Sequence, residues 1–255
     1  MKTQDFARIF TVTSVVLFAA SPALAQGLPA LEITSPGGNG ETKYSLSLQI
    51  LALMTALTVL PSIVLGMSAF TRIIIVLSIL RQALGTQQTP PNQVLVAIAL
   101  FLGFFVMQPM LTQVYETAVG PYLDGNMAAP EAMQKARVLI SGFLIENTRQ
   151  NDLMMFMDLS GSGPYASNDE VPLSVMLPAF ITSELKTAFQ IGFLLFLPFL
   201  VIDMVIASIL MALGMMMLSP MLVSLPFKLL LFVLVDGWAL TMGSLVNSFS
   251  SGIGA

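Results

Sequence analysis

Residues 187–218 read TAFQIGFLLFLPFLVIDMVIASILMALGMMML, and this stretch decides the fold class. Its 32 positions hold one charged residue, Asp203, and one proline, Pro198. One helix over that run would reach about 48 Å, whereas the hydrocarbon core of a bilayer is about 30 Å thick. The segment is therefore a helix-forming membrane stretch that must tilt, break, or bury part of its surface against protein.

Working outward, the same character appears once more. Residues 46–112 carry two charges in 67 positions, Arg72 and Arg81. Residues 113–186 carry 13, nine acidic and four basic, and residues 187–255 return to three, Asp203, Lys228 and Asp236. The reading is all-α: an integral membrane protein with two hydrophobic helical hairpins, 46–112 and 187–255. A polar, extracytoplasmic helical segment, 113–186, separates them. Pro61, the Thr89-Pro90-Pro91-Asn92 cluster, Pro109, Pro198, Ser219-Pro220 and Pro226 are read as the breaks within the hairpins. Thr55, Thr58, Ser62, Ser68, Thr71, Arg72, Ser78 and Arg81 are too many polar groups for helices that face only lipid, so packing against partners is expected.

Composition narrows the function. The 255 residues are 56% hydrophobic and 9% charged, with a mean hydropathy of +0.86; a soluble domain is about 25% charged. The chain has no cysteine and no histidine, which removes disulfides, thiolate nucleophiles, the commonest general base and the commonest metal ligand. A net charge of −4 argues against a nucleic-acid partner. No phosphate-binding G-x-x-x-x-G-K-[ST] loop is present. A structural or transport role without catalysis, cofactor or metal is expected.

Residues 1–25 form their own segment. Lys2 and Arg8 precede the apolar run Ile9 to Ala20, and Ala23-Leu24-Ala25 is an A-x-A site. This is the layout of a cleavable signal peptide with cleavage between Ala25 and Gln26; a short first membrane helix is the other reading, disfavoured because a span needs about 20 residues. Residues 26–45 read as an exposed leader rich in Gly, Pro and polar groups. Arg72, Arg81 and Lys228 then place their connections in the cytoplasm and the middle segment outside.

Three stretches resemble one family. FTRIIIVLSILRQALGTQQTPPNQVLVAIALFLGFFVM (70–107), LPAFITSELKTAFQIGFLLFLPFLVIDMVIASILMALGMMMLSP (177–220) and LPFKLLLFVLVDGWALTMGSL (225–245) are similar to the signature blocks of the FliP family. The resemblance implies a core subunit of the flagellar type III protein export gate in the bacterial inner membrane, within the basal body. It further implies assembly with other copies of the chain and with FliQ and FliR into a ring-like or helical pore. Unfolded axial proteins would pass through that pore.

Individual residues gain meaning beside it. Met215, Met216 and Met217 lie between Gly214 and Ser219-Pro220. Successive helical residues stand about 100° apart, so three in a row cannot share one face. Flanking Gly and Pro allow a loop that presents all three; ordinary core packing is the alternative and suffices for Met204, Met211 and Met242. The resemblance implies that the three close a methionine gasket over the resting pore.

Asp203 is an intramembrane carboxylate, either hydrogen-bonded structurally or engaged in gating or proton exchange. A hairpin turning at Ser219-Pro220 sets Asp203 opposite Asp236 and Lys228 opposite Met211. On that register an Asp203–Lys228 pair within the chain is not expected. Glu184 and Lys186, in TSELKTAFQ, read as a cap and interfacial anchor at the border of the second hairpin. Arg72 and Arg81, nine positions apart, occupy opposite faces of one helix; Arg81 suits snorkelling near Gly85, and Arg72 suits a carboxylate or carbonyl inside the assembly.

In the middle segment Met133, Ala136, Ile140 and Phe143 follow a helical period, with Glu131 and Lys135 as an i, i+4 pair. A second short helix is expected around Leu153 to Leu159, followed by a loop at 161–169. The rival from another class is an ion-coupled small-molecule transporter using Asp203 and Asp236. It lacks the inverted repeat such proteins show.

Overall fold

A computed structural model describes residues 48–86, 88–161, 165, 170–215 and 217–250. The expected signal peptide 1–25 with its cleavage point at Ala25 and Gln26, the leader 26–45, Met216, and the loop 161–169 apart from Gly161 and Tyr165 lie outside the described residues. The described residues contain helices and no strand. The helices are α1 (Leu48–Gly66), α2 (Phe70–Ala83), α3 (Asn92–Val114), α4 (Ala129–Glu146), α5 (Gln150–Leu159), α6 (Leu173–Ala212), α7 (Pro220–Leu234) and α8 (Gly237–Ser250). A π-helical turn, Tyr115–Val119, prolongs α3 into a last short turn, Gly120–Leu123.

The chain divides into two units, 1–60 and 61–255. In the first, α1 presents Leu53, Met54, Leu57 and Leu60 as exposed apolar side chains. Thr55 and Thr58 return their hydroxyls to the carbonyls of Leu51 and Met54, at 2.8 and 2.7 Å. That local bond satisfies each hydroxyl within the helix itself, without a partner from elsewhere.

The second unit is built around α6. Along α2, Ile73, Val76, Leu77, Leu80 and Ala83 recur at helical spacing and are buried. The first three pack with Leu95 and Ala99 of α3, Ala188 of α6, and Leu245 and Phe249 of α8. The first half of α6 contributes Val175, Met176, Ala179 and Phe180 to a separate core with Phe143 and Leu144 of α4 and Leu153 of α5. Its second half sends Phe199 to Leu80, Leu84 and Phe232. Burying such side chains is worth about 1.5–3 kcal/mol each, which makes α6 the principal support of the unit.

Several sequence expectations change here. The borders at 112/113 and 186/187 fall inside continuous helices, since α3 runs through its π-turn to Leu123 and α6 runs 40 residues from Leu173 to Ala212. Charge changes which face meets water; it does not end a helix whose apolar period persists, and Val175, Met176, Ala179 and Phe180 keep that period. Pro61, Pro109, Pro198 and Pro226 sit inside helices rather than between them. The expected breaks at Thr89-Pro90-Pro91-Asn92 and Ser219-Pro220 do fall between helices, in connections where Gly85 at φ 78° and Gly214 at φ 72° take a left-handed backbone, and Asp236 at φ 52° marks a further break. On α4 the buried residues are Ala132, Ser141, Phe143 and Leu144, while Met133 is exposed, so the buried stripe is displaced from the expected one.

Asn92–Leu123 and Leu173–Ala212 are each long and apolar enough to cross a membrane. The pair Pro220–Leu234 and Gly237–Phe249, bent by 64°, meets the same test when taken together, as does Leu53–Gly66 with Phe70–Ala83. Two to four spans are therefore available among the described residues.

Candidate functional site

One fully buried ion pair, one half-buried ion pair and one apolar loop stand out in residues 61–255. The first pair begins with Arg72, which α2 turns inward among Ile73, Val76 and Leu77. Its Nε donates to Glu184 Oε2 at 2.9 Å, and Nη2 pairs with Glu184 Oε1. The Nη1 group donates to both the carbonyl and the hydroxyl of Ser248, each at 2.9 Å. The guanidinium carbon lies 3.7 Å from the centre of the Phe249 ring. One side chain thus joins α2, α6 and α8, using the planar fork and the aromatic stacking that distinguish Arg from Lys.

Glu184 is fully buried in the interior of α6. The expected role of cap and interfacial anchor is corrected for this residue. A carboxylate so enclosed needs a charged partner, and Arg72 supplies it from within the same chain. Arg81, by contrast, is half-buried and donates to Asn92 Oδ1 at 2.6 Å and to the Pro90 carbonyl at 3.2 Å. It ties down the connection between α2 and α3, and its environment differs from that of Arg72 as their opposite faces require.

The second pair joins Asp203 and Lys228. Lys228 Nζ lies 2.6 Å from Asp203 Oδ2 and donates to the Ala83 carbonyl at 3.0 Å. Ser224 donates its hydroxyl to Asp203 Oδ1. Ala83 is the last residue of α2, where a carbonyl lacks a helical partner and the helix dipole attracts a cation. The pair therefore closes α6 and α7 onto the end of α2.

The register expected from the sequence is corrected by this contact. That register turned the chain at Ser219-Pro220, whereas α6 stops at Ala212 and the reversal occupies the whole interval to Pro220. Moving the centre back by three to four positions brings the residue opposite Asp203 from 236 to about 229, one place from Lys228. Asp236 lies exposed at the bend between α7 and α8. The two carboxylates do not form the ion site of the rival transporter reading, and no cluster of three or more His, Cys, Asp or Glu side chains suited to a metal occurs among the described residues.

The third element is the loop from Leu213 to Ser219. Gly214 takes the left-handed backbone that ends α6, and the Met215 amide donates to the Leu210 carbonyl at 2.9 Å. Met215 is 43% exposed and Met217 is completely exposed, at 103% of its reference area. Leu213 and Leu218, on either side, are also exposed. No charged residue lies between Asp203 and Lys228 in the sequence, so this surface is apolar and soft.

Lys186 pairs with Asp152 at the start of α5. Alongside, the Arg149 amide donates to Ser183 Oγ at 2.9 Å and its guanidinium to Thr187 Oγ1 at 3.1 Å. These bonds fasten α5 to α6. Ser224, Ser248, Phe249 and Asp152 were not singled out from the sequence. The i, i+4 step from Ser224 to Lys228 and the first-turn position of Asp152 were the available signals; nothing local marks Ser248 or Phe249, which Arg72 meets across 176 and 177 positions.

Known proteins match this sequence over most of the chain. The sequence model of the FliP family matches residues 53–245. The chain is 75% identical over 223 residues to a Flagellar biosynthetic protein FliP of Cereibacter sphaeroides, covering 88% of this chain and 73% of that one. It is 52% identical over 236 residues to the protein of the same name from Pectobacterium carotovorum subsp. carotovorum, covering 92% and 91%. With the Bacillus subtilis protein of that name the identity is 51% over 205 residues, covering 80% and 93%. The matched span contains both ion pairs and the methionine loop, and the chain belongs to the FliP family.

Proposed function

We propose that this chain is a pore-forming subunit of the flagellar type III protein export gate, held in the inner membrane within the basal body. It assembles with further copies of itself and with FliQ and FliR, and unfolded flagellar axial proteins pass through the resulting channel. The subunit performs no chemistry of its own. Its N-terminal 25 residues direct it to the membrane and are removed, so the mature chain starts at Gln26.

One observation carries the gate reading: Met217 and Met215 project from a loop between a left-handed Gly214 and the start of α7, in a stretch with no charged residue from 204 to 227. Thioether side chains are flexible and polarizable, so a ring of them closes on itself and yields to chains of varied shape. Apolar constrictions exclude ions by refusing to hold water. The Asp203–Lys228 pair fixes α6 to α7 behind the loop, so the soft tip stands on a rigid hairpin. Arg72 with Glu184 and Ser248 holds the rest of the scaffold.

Replacing Met215, Met216 and Met217 together by Ala tests the reading. A gasket role predicts normal yield of the complex with a raised resting conductance when export is idle. A core role predicts poor yield, because large-to-small core changes cost about 2–5 kcal/mol each. Normal yield with an unchanged, tight membrane would refute the gasket.

A further inference from the structure

We propose that the face of α4 around Met133 and Arg137 receives α5 of a second copy of this chain, with Arg137 of one copy paired to Asp158 of the next. The inference rests on the reading that copies of the chain assemble, and it names the surfaces through which they meet. On α4, with about 100° per residue, Met133, Ala136, Arg137 and Ile140 fall within one sector of about 120°. The same sector contains Leu144, which is wholly buried with Phe143 against the first half of α6. One stripe of α4 is thus covered in its second half and open in its first, where Met133 is 73% exposed. There Met133 lines a groove of about 610 Å³ with Met67, Arg137, Ile140 and Leu173, the first residue of α6. A second cavity, of about 330 Å³, lies between Met133 and the side chains of Val119 and Tyr122. Met133 is a ridge between two hollows.

The complementary surface is on α5. Leu153, Phe156 and Met157 turn into the core beside α6, while Met154, Met155, Asp158 and Leu159 share the opposite half of the helix and are exposed. A helix that is apolar on both faces belongs in an interior, so its second face calls for a cover. Lipid does not fit that need. The 10 residues of α5 span about 15 Å, and neither α5 nor α4 is long and apolar enough to cross a membrane. Charge selects the partner. Arg137 stands exposed in the wall of the groove and Asp158 exposed within the apolar face of α5, and neither forms an ion pair among the described residues. An apolar ridge with a spare cation therefore meets an apolar helix face with a spare anion. Groove and helix are different patches of one chain, so each copy in a pair keeps one of them free for a further copy. Head-to-tail contacts of this kind close into rings or wind into helices, as a pore requires.

The chain has no cysteine, so thiols can be introduced without background. Arg137→Cys and Asp158→Cys are combined in one chain, and the complex in its membrane is treated with a short bismaleimide matching the reach of an Arg–Asp pair. A ladder of dimers, trimers and larger products should form. Either single variant should give at least about tenfold less product, because each position meets the other and not itself. Separately, Arg137→Glu and Asp158→Arg should each lower complex yield and swimming several-fold, and the two together should restore both. A normally assembled complex that gives no ladder would overturn the interface, as would crosslinks from position 137 to a chain of another kind. Products that stop at the dimer would overturn the head-to-tail arrangement. Copies carrying two different tags keep this failure apart from that of the assembly reading. Co-purification without a ladder leaves the assembly standing and removes only the interface, whereas absence of co-purification removes both. Should the cysteine pair itself weaken assembly, the charge exchange decides, and no recovery in the doubly reversed chain would overturn the pairing.

Discussion

Lys228 and Asp203 are unequal partners, and the inequality is measurable. The Lys228 side chain is 3% exposed and that of Asp203 is 31% exposed. Removing the carboxylate leaves a buried ammonium with only the Ala83 carbonyl to bond. Breaking a buried pair in that way costs about 3–5 kcal/mol, far more than losing an exposed one. Removing the lysine leaves a carboxylate that keeps the Ser224 hydroxyl and reaches solvent on one side. Asp203→Ala is therefore expected to lower complex yield and thermal midpoint more than Lys228→Ala, with Asp203→Asn between them because its single amide oxygen still accepts from Lys228. Yield and melting of the three purified complexes check the order, and swimming in soft agar reads its consequence. A Lys228→Ala variant as damaged as Asp203→Ala would show that both charges are equally enclosed in the assembly.

Among the elements, α2 and α6 press directly against each other. Gly192 of α6 sits against Ile79 of α2, where an added Cβ would overlap the Ile79 Cδ1 and stand 3.1 and 3.2 Å from its Cγ2 and Cβ. Glycine is required here by the neighbour rather than by backbone conformation. Gly192→Val should destabilise by about 1–3 kcal/mol through overpacking, and Ile79→Ala in the same chain should recover part of that loss. Thermal unfolding of the single and double variants measures the coupling; no recovery would mean that the two helices separate rather than press on Ile79. The helical class and both apolar regions were legible because hydrophobicity at helical spacing survives in the sequence without reference to partners. The ends of α6 were not, since Pro178 and Pro198 look like stops yet lie inside it. Membrane-type helices tolerate such prolines when neighbouring groups satisfy the freed carbonyls. The site divided the same way. Met215 and Met217 were legible from local geometry, because Gly214 and Ser219 bracket them. The Asp203–Lys228 pair was not, because its register depends on how many residues the turn consumes, and composition around 213–219 does not fix that number.

At the scale of the whole molecule, the question is what covers the exposed apolar surface. On α6 exposed apolar side chains run from Leu185 to Met211, including Phe189, Phe193, Leu197, Val201 and Val205. That stripe is about 39 Å long at 1.5 Å per residue, longer than the roughly 30 Å of hydrocarbon. Tilting alone would shorten its projection, but Asp203 lies within the same stretch with almost a third of its side chain open. A half-open carboxylate facing acyl chains is costly, whereas one facing another subunit can be matched by a donor. Protein, not lipid, is therefore the expected cover of this face. A photoreactive benzoylphenylalanine in place of Phe193, which is 61% exposed, tests the point with little change of shape. Illumination of the intact complex in its membrane should yield adducts to other protein chains, either further copies of this one or sister subunits. The same replacement at Phe104 of α3, also well exposed, maps a second face under identical conditions. Adducts from Phe193 confined to lipid would show that α6 faces the bilayer, and Asp203 would then have to meet its solvent or its partner from the opposite side.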